Sequence, residues 1–538
     1  MSGSGLDLNG WEDCLKGLNQ VSNALVSPAS LTVSANSDDL SDSNAISRSS
    51  TNISLNLTEA ELELQDLKIG LIQQNFDDIT KEFEECLIDA IYESKNSMIP
   101  SCNMIPKGHE VGRYLIIDIG GSTLRIAIVD LTGDKSTSKS LIEESWKILQ
   151  KGKIIDAFFF ENIAQKAKII LEKSNFFNNH EKINVGITWS FPIVQKSPSS
   201  ALISDLGKGF TVLEDFKNKD LKQLFEKYFK KQDIDIDVLA IVNDSISVFI
   251  AGSYFDNCKL ALVLGTGLNA SFSVKRDMLS NRKKKLIISL NNKENEEVLL
   301  NSELSLFGYN IQKYITRFDE EMCSTWKSKF DEFEKENLPH MSSIYGVFQP
   351  AEMLTSGRYV PEISRLMMVD LIKRKKLFCG NLPKNFNREY EISGKLICDF
   401  YESRSTDSSL KIFSNTFPVD ENDLPLHVTE KDIETMKEII NLVISRAAIL
   451  FTSLLVAIIR VLKINEENDQ NQVLNIGYVG SVLQYFTSYR RKLESCLLSE
   501  HEKGNIPKIH FQYVDNSSIY GAAIAASIVE YAATHETN

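Results

Sequence analysis

The stretch that decides the fold is residues 114–130, which read YLIIDIGGSTLRIAIVD. An apolar, strand-like run stops at Asp118, passes through two glycines and two hydroxyl residues, and resumes as an alternating apolar strand. This pattern predicts a β-hairpin with a polar tip. Glycines let backbone N–H groups approach an anion, and Ser122, Thr123 and Arg125 add hydroxyl donors and positive charge. The tip therefore suits a phosphate group, whereas the alternative is a plain Gly-Gly hairpin.

Asp118 ends the first strand of this hairpin, beside the predicted phosphate site. Magnesium bound near phosphate prefers carboxylate oxygens. Asp118 is therefore a candidate ligand for Mg²⁺, directly or through water.

The composition predicts a large globular protein with at least two domains or lobes, since the chain has 538 residues and is 43% hydrophobic. Its net charge of −14 argues against binding to a nucleic acid backbone. The eight cysteines show neither zinc-site spacing nor a disulfide framework. Because the first residues also lack a signal-peptide pattern, we expect a cytoplasmic protein.

The longest apolar run, residues 447–459, is too short for a membrane span, which needs about 20 residues. It predicts a buried helix and no membrane insertion. Residues 1–60 are rich in Ser, Asn and Asp and predict a disordered tail. Strands and helices alternate between residues 111 and 243, which indicates an α/β architecture. The charged segment 281–298 is most simply an exposed hairpin.

Three polar residues follow predicted strands or glycines in the α/β region. Asp244 follows an apolar strand at the edge where open α/β sheets bind ligands, so it is a candidate general base, with a helix cap as the alternative. Ser190 ends the strand before it. Lys208 lies between two glycines and is either a solvated loop residue or a donor to a sugar hydroxyl or a transferred phosphate.

A second hairpin is predicted at residues 260–274, which read LALVLGTGLNASFSV. The segment contains Gly-x-Gly-x-x-Ala, but the residues after it alternate like a strand and do not open a helix, which excludes a dinucleotide site. It repeats the first design: an apolar strand, a Gly-hydroxyl-Gly tip and a second strand. Two such hairpins in one chain are far more specific than either alone.

Seven segments in order resemble the motifs of the eukaryotic hexokinase family. They are 118–125 (DIGGSTLR), 188–192 (TWSFP), 208–210 (KGF), 243–244 (ND), 265–269 (GTGLN), 301–303 (NSE) and 356–362 (SGRYVPE). The resemblance covers about residues 70 to 530. It implies an α/β, two-lobed actin-like ATPase (ribonuclease H-like) hexokinase fold with a cleft between a small and a large lobe.

The same resemblance implies where the lobes begin and end. Residues 111–243 with 515–538 are expected to form the small lobe. The large lobe is expected to contain helices in residues 61–110 and the long segment 244–514.

The resemblance also implies the chemistry, with ATP lying across the two hairpins and a hexose or amino sugar in the cleft. Asp244 would take the proton of the sugar 6-hydroxyl, while Lys208, Arg125 and Mg²⁺ neutralise the transferring phosphate. The implied sugar-binding residues are Ser190, Lys208, Asn243, Asp244, Asn269, Glu303 and Glu362. The implied ATP-binding residues are Asp118, Gly120, Gly121, Ser122, Thr123, Arg125, Gly265, Thr266, Gly267, Gly480 and Ser481.

The sequence departs from the family pattern beside both glutamates. Residues 304–306 are Leu-Ser-Leu where the family has Trp-Gly-Ala or Tyr-Gly-Ser, and 360–362 are Val-Pro-Glu in place of Leu-Gly-Glu. Because these carboxylates face the O1 and O2 end of the sugar in the family, the changes favour N-acetylglucosamine over glucose, mannose or fructose. The sequence also departs from the family motifs at three further positions, Gly207, Val479 and Ile519. A sugar sensor with little turnover therefore stays open as an alternative. Monomer and homodimer both stay open.

Overall fold

The structure is a computed structural model that describes residues 67–174, 182–204, 210–287, 297–323, 347, 349–462 and 473–535. The predicted tail, residues 1–60, lies outside the described residues. The strands are β1 Ile99–Pro100, β2 Val111–Ile119, β3 Thr123–Thr132, β4 Lys139–Lys147, β5 Ile154–Ile155, β6 Ile183–Trp189, β7 Ile193–Ser197, β8 Ser200–Ile203, β9 Thr211–Val212, β10 Ile236–Val242, β11 Leu260–Leu264, β12 Leu268–Lys275, β13 Glu297–Asn301, β14 Val473–Val479 and β15 Lys508–Tyr513.

The described helices vary from a single turn to the long helix α12. They are α1 Ile69–Gln74, α2 Phe76–Glu93, α3 Ala157–Lys173, α4 Leu221–Lys230, α5 Asp244–Asp256, α6 Asn281–Lys284, α7 Arg317–Cys323, α8 Pro350–Thr355, α9 Tyr359–Lys373, α10 Gly394–Tyr401, α11 Thr406–Thr416, α12 Glu430–Val461, α13 Ser481–Tyr485, α14 Thr487–Glu502 and α15 Ser517–His535.

The first sheet has five strands in the order β10-β6-β2-β3-β4. The predicted hairpin is its centre: β2 and β3 pair antiparallel, with Asp118 opposite Arg125. Strands β6 and β10 add to it in parallel. Apolar side chains of α3 and α4 pack on one face of this sheet, so the predicted α/β alternation is confirmed.

The second sheet has six strands in the order β1-β13-β12-β11-β14-β15. Its core is the other predicted hairpin, in which β11 and β12 pair antiparallel and Val263 lies opposite Asn269. A strand, and not a helix, follows the glycines, which confirms that this is not a dinucleotide-binding turn. All strands of the first sheet lie within residues 111–243 and all strands of the second sheet lie outside that range, although the lobe boundaries themselves stay predictions.

Helices α5 and α15 pack against each other between the two sheets, in one apolar cluster with residues of both. Their crossing depends on Gly521, since a Cβ there would lie 2.3 Å from Ser247 Oγ and 2.4 Å from the Ser247 carbonyl oxygen. The close crossing holds the first turn of α5, which follows directly from β10, against α15.

Helix α12 forms the centre of the larger apolar cluster. By length and composition it is the one helix among the described residues that would be able to cross a membrane, and 94% of its most apolar window is buried inside the fold. The buried helix predicted at residues 447–459 is therefore confirmed.

The prediction of an exposed hairpin at residues 281–298 was wrong for the part that the structure describes. Residues 281–287 form helix α6 and a 3-10 turn, and Lys283 is 1% exposed. Its Nζ donates to the carbonyl oxygens of Ala90, Ser97 and Met98 at 2.6, 3.2 and 2.7 Å. The lysine closes the end of α2, and residues 288–296 lie outside the described residues.

Candidate active site

The first turn joins β2 to β3 and contains the four residues predicted to contact phosphate. The Gly120 N–H donates to the Thr123 carbonyl oxygen at 2.9 Å, which closes the turn. The Ile148 N–H donates to the Ser122 carbonyl oxygen at 2.8 Å and fixes the turn from outside. Gly121 lies between Gly120 and Ser122, so the predicted hairpin with a polar tip is confirmed.

Asp118 and Arg125 form an ion pair behind this turn. Arg125 Nε donates to Asp118 Oδ2 at 2.8 Å, Arg125 Nη1 donates to Asn516 Oδ1 at 3.2 Å, and Arg125 Nη2 donates to Ser518 Oγ. Each nitrogen of the guanidinium thus has an acceptor in the protein. Arg125 joins the turn to the start of α15, and its catalytic role stays a prediction.

Asp244 is the first residue of α5, directly after β10. Asn243 occupies the N-cap position, and its Oδ1 accepts from the Ser245 N–H at 2.9 Å and from Ser245 Oγ at 2.8 Å. Asp244 Oδ1 also accepts from the Ser245 N–H at 2.8 Å. The alternative in which Asp244 serves as the helix cap is therefore wrong, because Asn243 has that position.

A hydrogen-bonded cluster links Asp244 to the first predicted sugar-binding glutamate. Ser245 Oγ donates to Asn301 Oδ1 at 3.1 Å, and Asn269 Nδ2 donates to the same oxygen at 2.9 Å. Asn301 Nδ2 donates to Glu303 Oε1 at 2.8 Å. The structure thus brings together Asn243, Asp244, Asn269 and Glu303, which the sequence placed in separate motifs.

The second turn, Gly265 to Gly267, packs against two other backbone segments. Ser356 Oγ donates to the Thr266 carbonyl oxygen at 3.0 Å, and the Gly357 N–H donates to the Gly265 carbonyl oxygen at 2.7 Å. Gly480 has a φ of 111°, and a Cβ there would lie 2.4 Å from the carbonyl group of Leu264. Ser481 follows at the start of α13. The five residues predicted on this side of the nucleotide, Gly265, Thr266, Gly267, Gly480 and Ser481, therefore lie together.

Ser190 and Lys208 have different outcomes. The Ser190 N–H donates to the Ile119 carbonyl oxygen at 3.1 Å, which places Ser190 beside the first turn. Lys208 and Gly207 lie outside the described residues, so the roles given to Lys208 stay predictions.

Glu362 lies outside the site, and its predicted contact with sugar was wrong. It is 2% exposed on α9, and Arg365 Nε donates to its Oε2 at 2.8 Å while Arg365 Nη2 lies 2.5 Å from its Oε1. The Tyr390 N–H also donates to Oε2 at 2.8 Å. Both carboxylate oxygens are therefore engaged inside the core.

Glu352, which the sequence reading missed, lies in the site. Its Oε2 accepts from the Leu268 N–H at 2.9 Å and would lie 2.8 Å from a Cβ built on Gly267. Glu352 comes ten positions before Glu362, in the first turn of α8. One signal was present in the sequence: Arg365 follows Glu362 at the helical i, i+3 spacing among apolar residues, which is typical of a buried ion pair.

Two family profiles, both described as hexokinase, match residues 55–254 and 259–528. The chain belongs to the hexokinase family. The predicted membership in this family is therefore confirmed, and the chain is a sugar kinase.

Among its relatives is N-acetylglucosamine kinase 1 of Candida albicans, 36% identical over 441 residues, which are 80% of this chain and 86% of that protein. Hexokinase-2 of Saccharomyces cerevisiae is 25% identical over 357 residues, which are 65% of this chain and 68% of that protein. The solved hexokinase from Schistosoma mansoni complexed with glucose has a TM-score of 0.68 at 22% identity, over 87% of this chain and 98% of that one. The predicted two-lobed hexokinase fold is confirmed.

The acidic pair of this hexokinase-family site fits a magnesium ion that arrives with phosphate. Burial raises the pKa of Asp118. The contacts with Arg125 and Ser518 oppose that rise, whereas the negative charge of Asp244 adds to it. Within the described ranges, no group of three His, Cys, Asp or Glu side chains would hold a metal alone. Mg²⁺ bound to a nucleotide needs only one or two carboxylates, because phosphate oxygens and waters complete its shell.

Proposed function

We propose that this chain transfers the γ-phosphate of ATP to the 6-hydroxyl of N-acetylglucosamine. The observation that carries the proposal is the placement of Asp244 at the start of α5, joined through Ser245 and Asn301 to Glu303. A base and a sugar-binding carboxylate are thereby held in one rigid cluster between two phosphate-type turns. The similarity to the Candida albicans N-acetylglucosamine kinase supports the choice of sugar.

In the proposed reaction, Asp244 accepts the proton of the sugar 6-hydroxyl. The hydroxyl oxygen forms a bond to the γ-phosphorus, and the bond from that phosphorus to the bridging oxygen of ADP breaks. Such a transition state is loose, so catalysis depends mainly on positioning and on charge neutralisation. Backbone N–H groups of the two turns bind the phosphates, and closure of the cleft excludes water, which competes for the phosphate.

Asp118 is the carboxylate that would hold Mg²⁺, directly or through water. When bound, the ion neutralises phosphate charge. Lys208, at its position in the family motif, is proposed to contact the transferred phosphate or the sugar.

The proposed sugar ligands are Ser190, Asn243, Asn269, Glu303 and Glu352. A sugar that lacks the hydroxyl matching one of these side chains would leave that buried polar group unpaired. This penalty gives the site its selectivity. The turn after Glu303, Leu304–Leu306, differs from the family pattern and contains Ser305, which contacts Gln349 at 3.4 Å. We propose that this altered turn makes room for the acetamide at C2.

The second candidate substrate class is glucose, mannose and fructose, which the similarity to the yeast hexokinase supports. A coupled ADP-release assay with Mg·ATP and these four sugars decides between the two, with Asp244→Ala as the blank. We expect the highest kcat/KM with N-acetylglucosamine and no turnover in the variant. A much higher kcat/KM with glucose would overturn the sugar assignment.

Silence on all four sugars, together with stabilisation of the protein by sugar in thermal unfolding, would indicate the sensor alternative. Turnover that survives Asp244→Ala would remove Asp244 from the mechanism.

We also propose a cytoplasmic location, supported by the seven described cysteines, none of which forms a disulfide.

A further inference from the structure

Asn301 is the last residue of β13, and its side-chain amide lies where three parts of the site meet. Its Oδ1 accepts from Ser245 Oγ of α5 at 3.1 Å and from Asn269 Nδ2 of β12 at 2.9 Å. Its Nδ2 donates to Glu303 Oε1 at 2.8 Å. One side chain thus contacts the base-bearing helix, a sugar-binding amide and a sugar-binding carboxylate.

We propose that Asn301 is a positioning residue that sets Glu303 and Asn269 relative to Asp244; this inference rests on the proposed function. An amide suits this position. Its oxygen accepts from two donors while its NH₂ group donates to a carboxylate, and no charged side chain does both. A carboxylate would repel Glu303, and an ammonium group would have no acceptor for the two donors.

The contact with Glu303 has a second consequence for the backbone. Glu303 has a φ of 47°, a left-handed conformation that non-glycine residues rarely adopt. Such a residue stays in place only when its surroundings hold it. The hydrogen bond from Asn301 fixes the carboxylate, and Asn269 Oδ1 accepts from the next backbone N–H, that of Leu304, at 3.3 Å.

The contact with Ser245 carries the positioning to the base. Ser245 is fully buried, its Oγ also accepts from Ser271 Oγ at 2.8 Å, and its N–H donates to Asp244 Oδ1. The path from Asp244 to Glu303 therefore runs through two side chains that have little freedom to move. Asn301 therefore sets the spacing between the base, Asp244, and the carboxylate of Glu303, which are proposed to bind opposite ends of the sugar.

The experiment compares Asn301→Ala and Asn301→Ser with wild type in the full-length chain, measuring kcat, sugar KM, ATP KM and Tm. Asn475→Ala is the matched control, because Asn475 is a strand residue of the same sheet whose amide donates to the Asp256 carbonyl oxygen at 3.0 Å, away from the site. We expect the Asn301 variants to raise sugar KM about tenfold and to lower kcat, with ATP KM unchanged.

A merely structural role would lower Tm in all three variants and leave the kinetic constants within about twofold of wild type, and that result would overturn the proposal. A second arm uses polarity. Asn301→Asp puts two carboxylates together and should raise sugar KM more than Asn301→Ala does. In a Glu303→Gln background, Asn301→Asp should raise sugar KM by a much smaller factor, because the Gln amide can donate to the new carboxylate. An equal rise of sugar KM in both backgrounds would also overturn the proposal.

The two proposals fail in different ways. If wild type turns over none of the sugars, the proposed function fails, and the Asn301 variants are then compared by the rise of Tm that N-acetylglucosamine or glucose produces. A smaller rise in Asn301→Ala than in Asn475→Ala supports the positioning role, and an equal rise overturns it.

Discussion

Ser518 Oγ donates a hydrogen bond to Asp118 Oδ2 at 2.9 Å, and the two residues are 400 positions apart in the chain. Ser518 also accepts from Arg125, so the start of α15 is joined to the ion pair behind the first turn. The last helix of the chain therefore supports the carboxylate that we assign to Mg·ATP.

Ser518→Ala should raise the KM for ATP about three- to tenfold and leave the KM for sugar unchanged. The change removes one donor to Asp118 and one acceptor for Arg125, so the carboxylate loses its fixed orientation. The matched control is Ser527→Ala on the same helix, whose Oγ donates to the Val111 carbonyl oxygen at 2.7 Å far from the turn. Steady-state kinetics with varied ATP checks it. An equal rise in both variants would contradict the assignment.

Gly480→Ala should raise the KM for ATP at least about fivefold, because the added Cβ meets the Leu264 carbonyl group and displaces the second turn. Gly504→Ala is the control: Gly504 also has a positive φ, of 78°, but a Cβ there meets nothing within 4 Å. Both variants place an alanine at positive φ, but Gly480 combines its φ of 111° with a ψ of 146°, and only Gly480→Ala adds the clash. Similar ATP KM values in the two would show that the turn tolerates the methyl group.

Glu352→Gln and Glu362→Gln should fail in opposite ways. Glu352→Gln should raise sugar KM about tenfold or more with little change in Tm, because Glu352 accepts from the Leu268 N–H, next to the proposed sugar ligand Asn269. Glu362→Gln leaves Arg365 charged and buried, and breaking such a pair costs about 3–5 kcal/mol of unfolding free energy. Kinetics and chemical denaturation of both variants test the reassignment. A selective loss of sugar affinity in Glu362→Gln would restore the original prediction.

Lys283 should make stability rise with pH above about pH 8. Burial lowers the pKa of Lys283 to about 8, from 10.5 for an ordinary lysine. Between these values the unfolded chain holds a proton that the folded chain has released, so the free energy of unfolding increases with pH, by up to about 3 kcal/mol.

Urea denaturation at several pH values measures this slope. In Lys283→Met the free energy of unfolding should no longer rise with pH. In the control Lys285→Met, at an exposed neighbouring position, the rise should be unchanged. A rise that persists in Lys283→Met would assign it to another group.

The sequence by itself determined the two hairpins and the family. Residues 114–130 and 260–274 alternate with the period of a strand around glycine tips, and such patterns act over neighbouring residues. The strand that ends at Asn243-Asp244 was predicted for the same reason. Rejecting a dinucleotide site also needed only the local alternation after Gly267.

The tertiary structure alone decided which glutamate of α8 and α9 faces the site. Glu352 and Glu362 are ten positions apart on consecutive helices. Helical spacing places Glu362 beside Arg365, but only the packing of α9 into the apolar core buries that pair. The contact between Ser518 and Asp118, and the meeting of Ser245 with Glu303 at Asn301, join segments that are distant in the chain. Periodicity and turn chemistry are properties of short stretches, whereas such contacts exist only after α5 and α15 have packed between the two sheets.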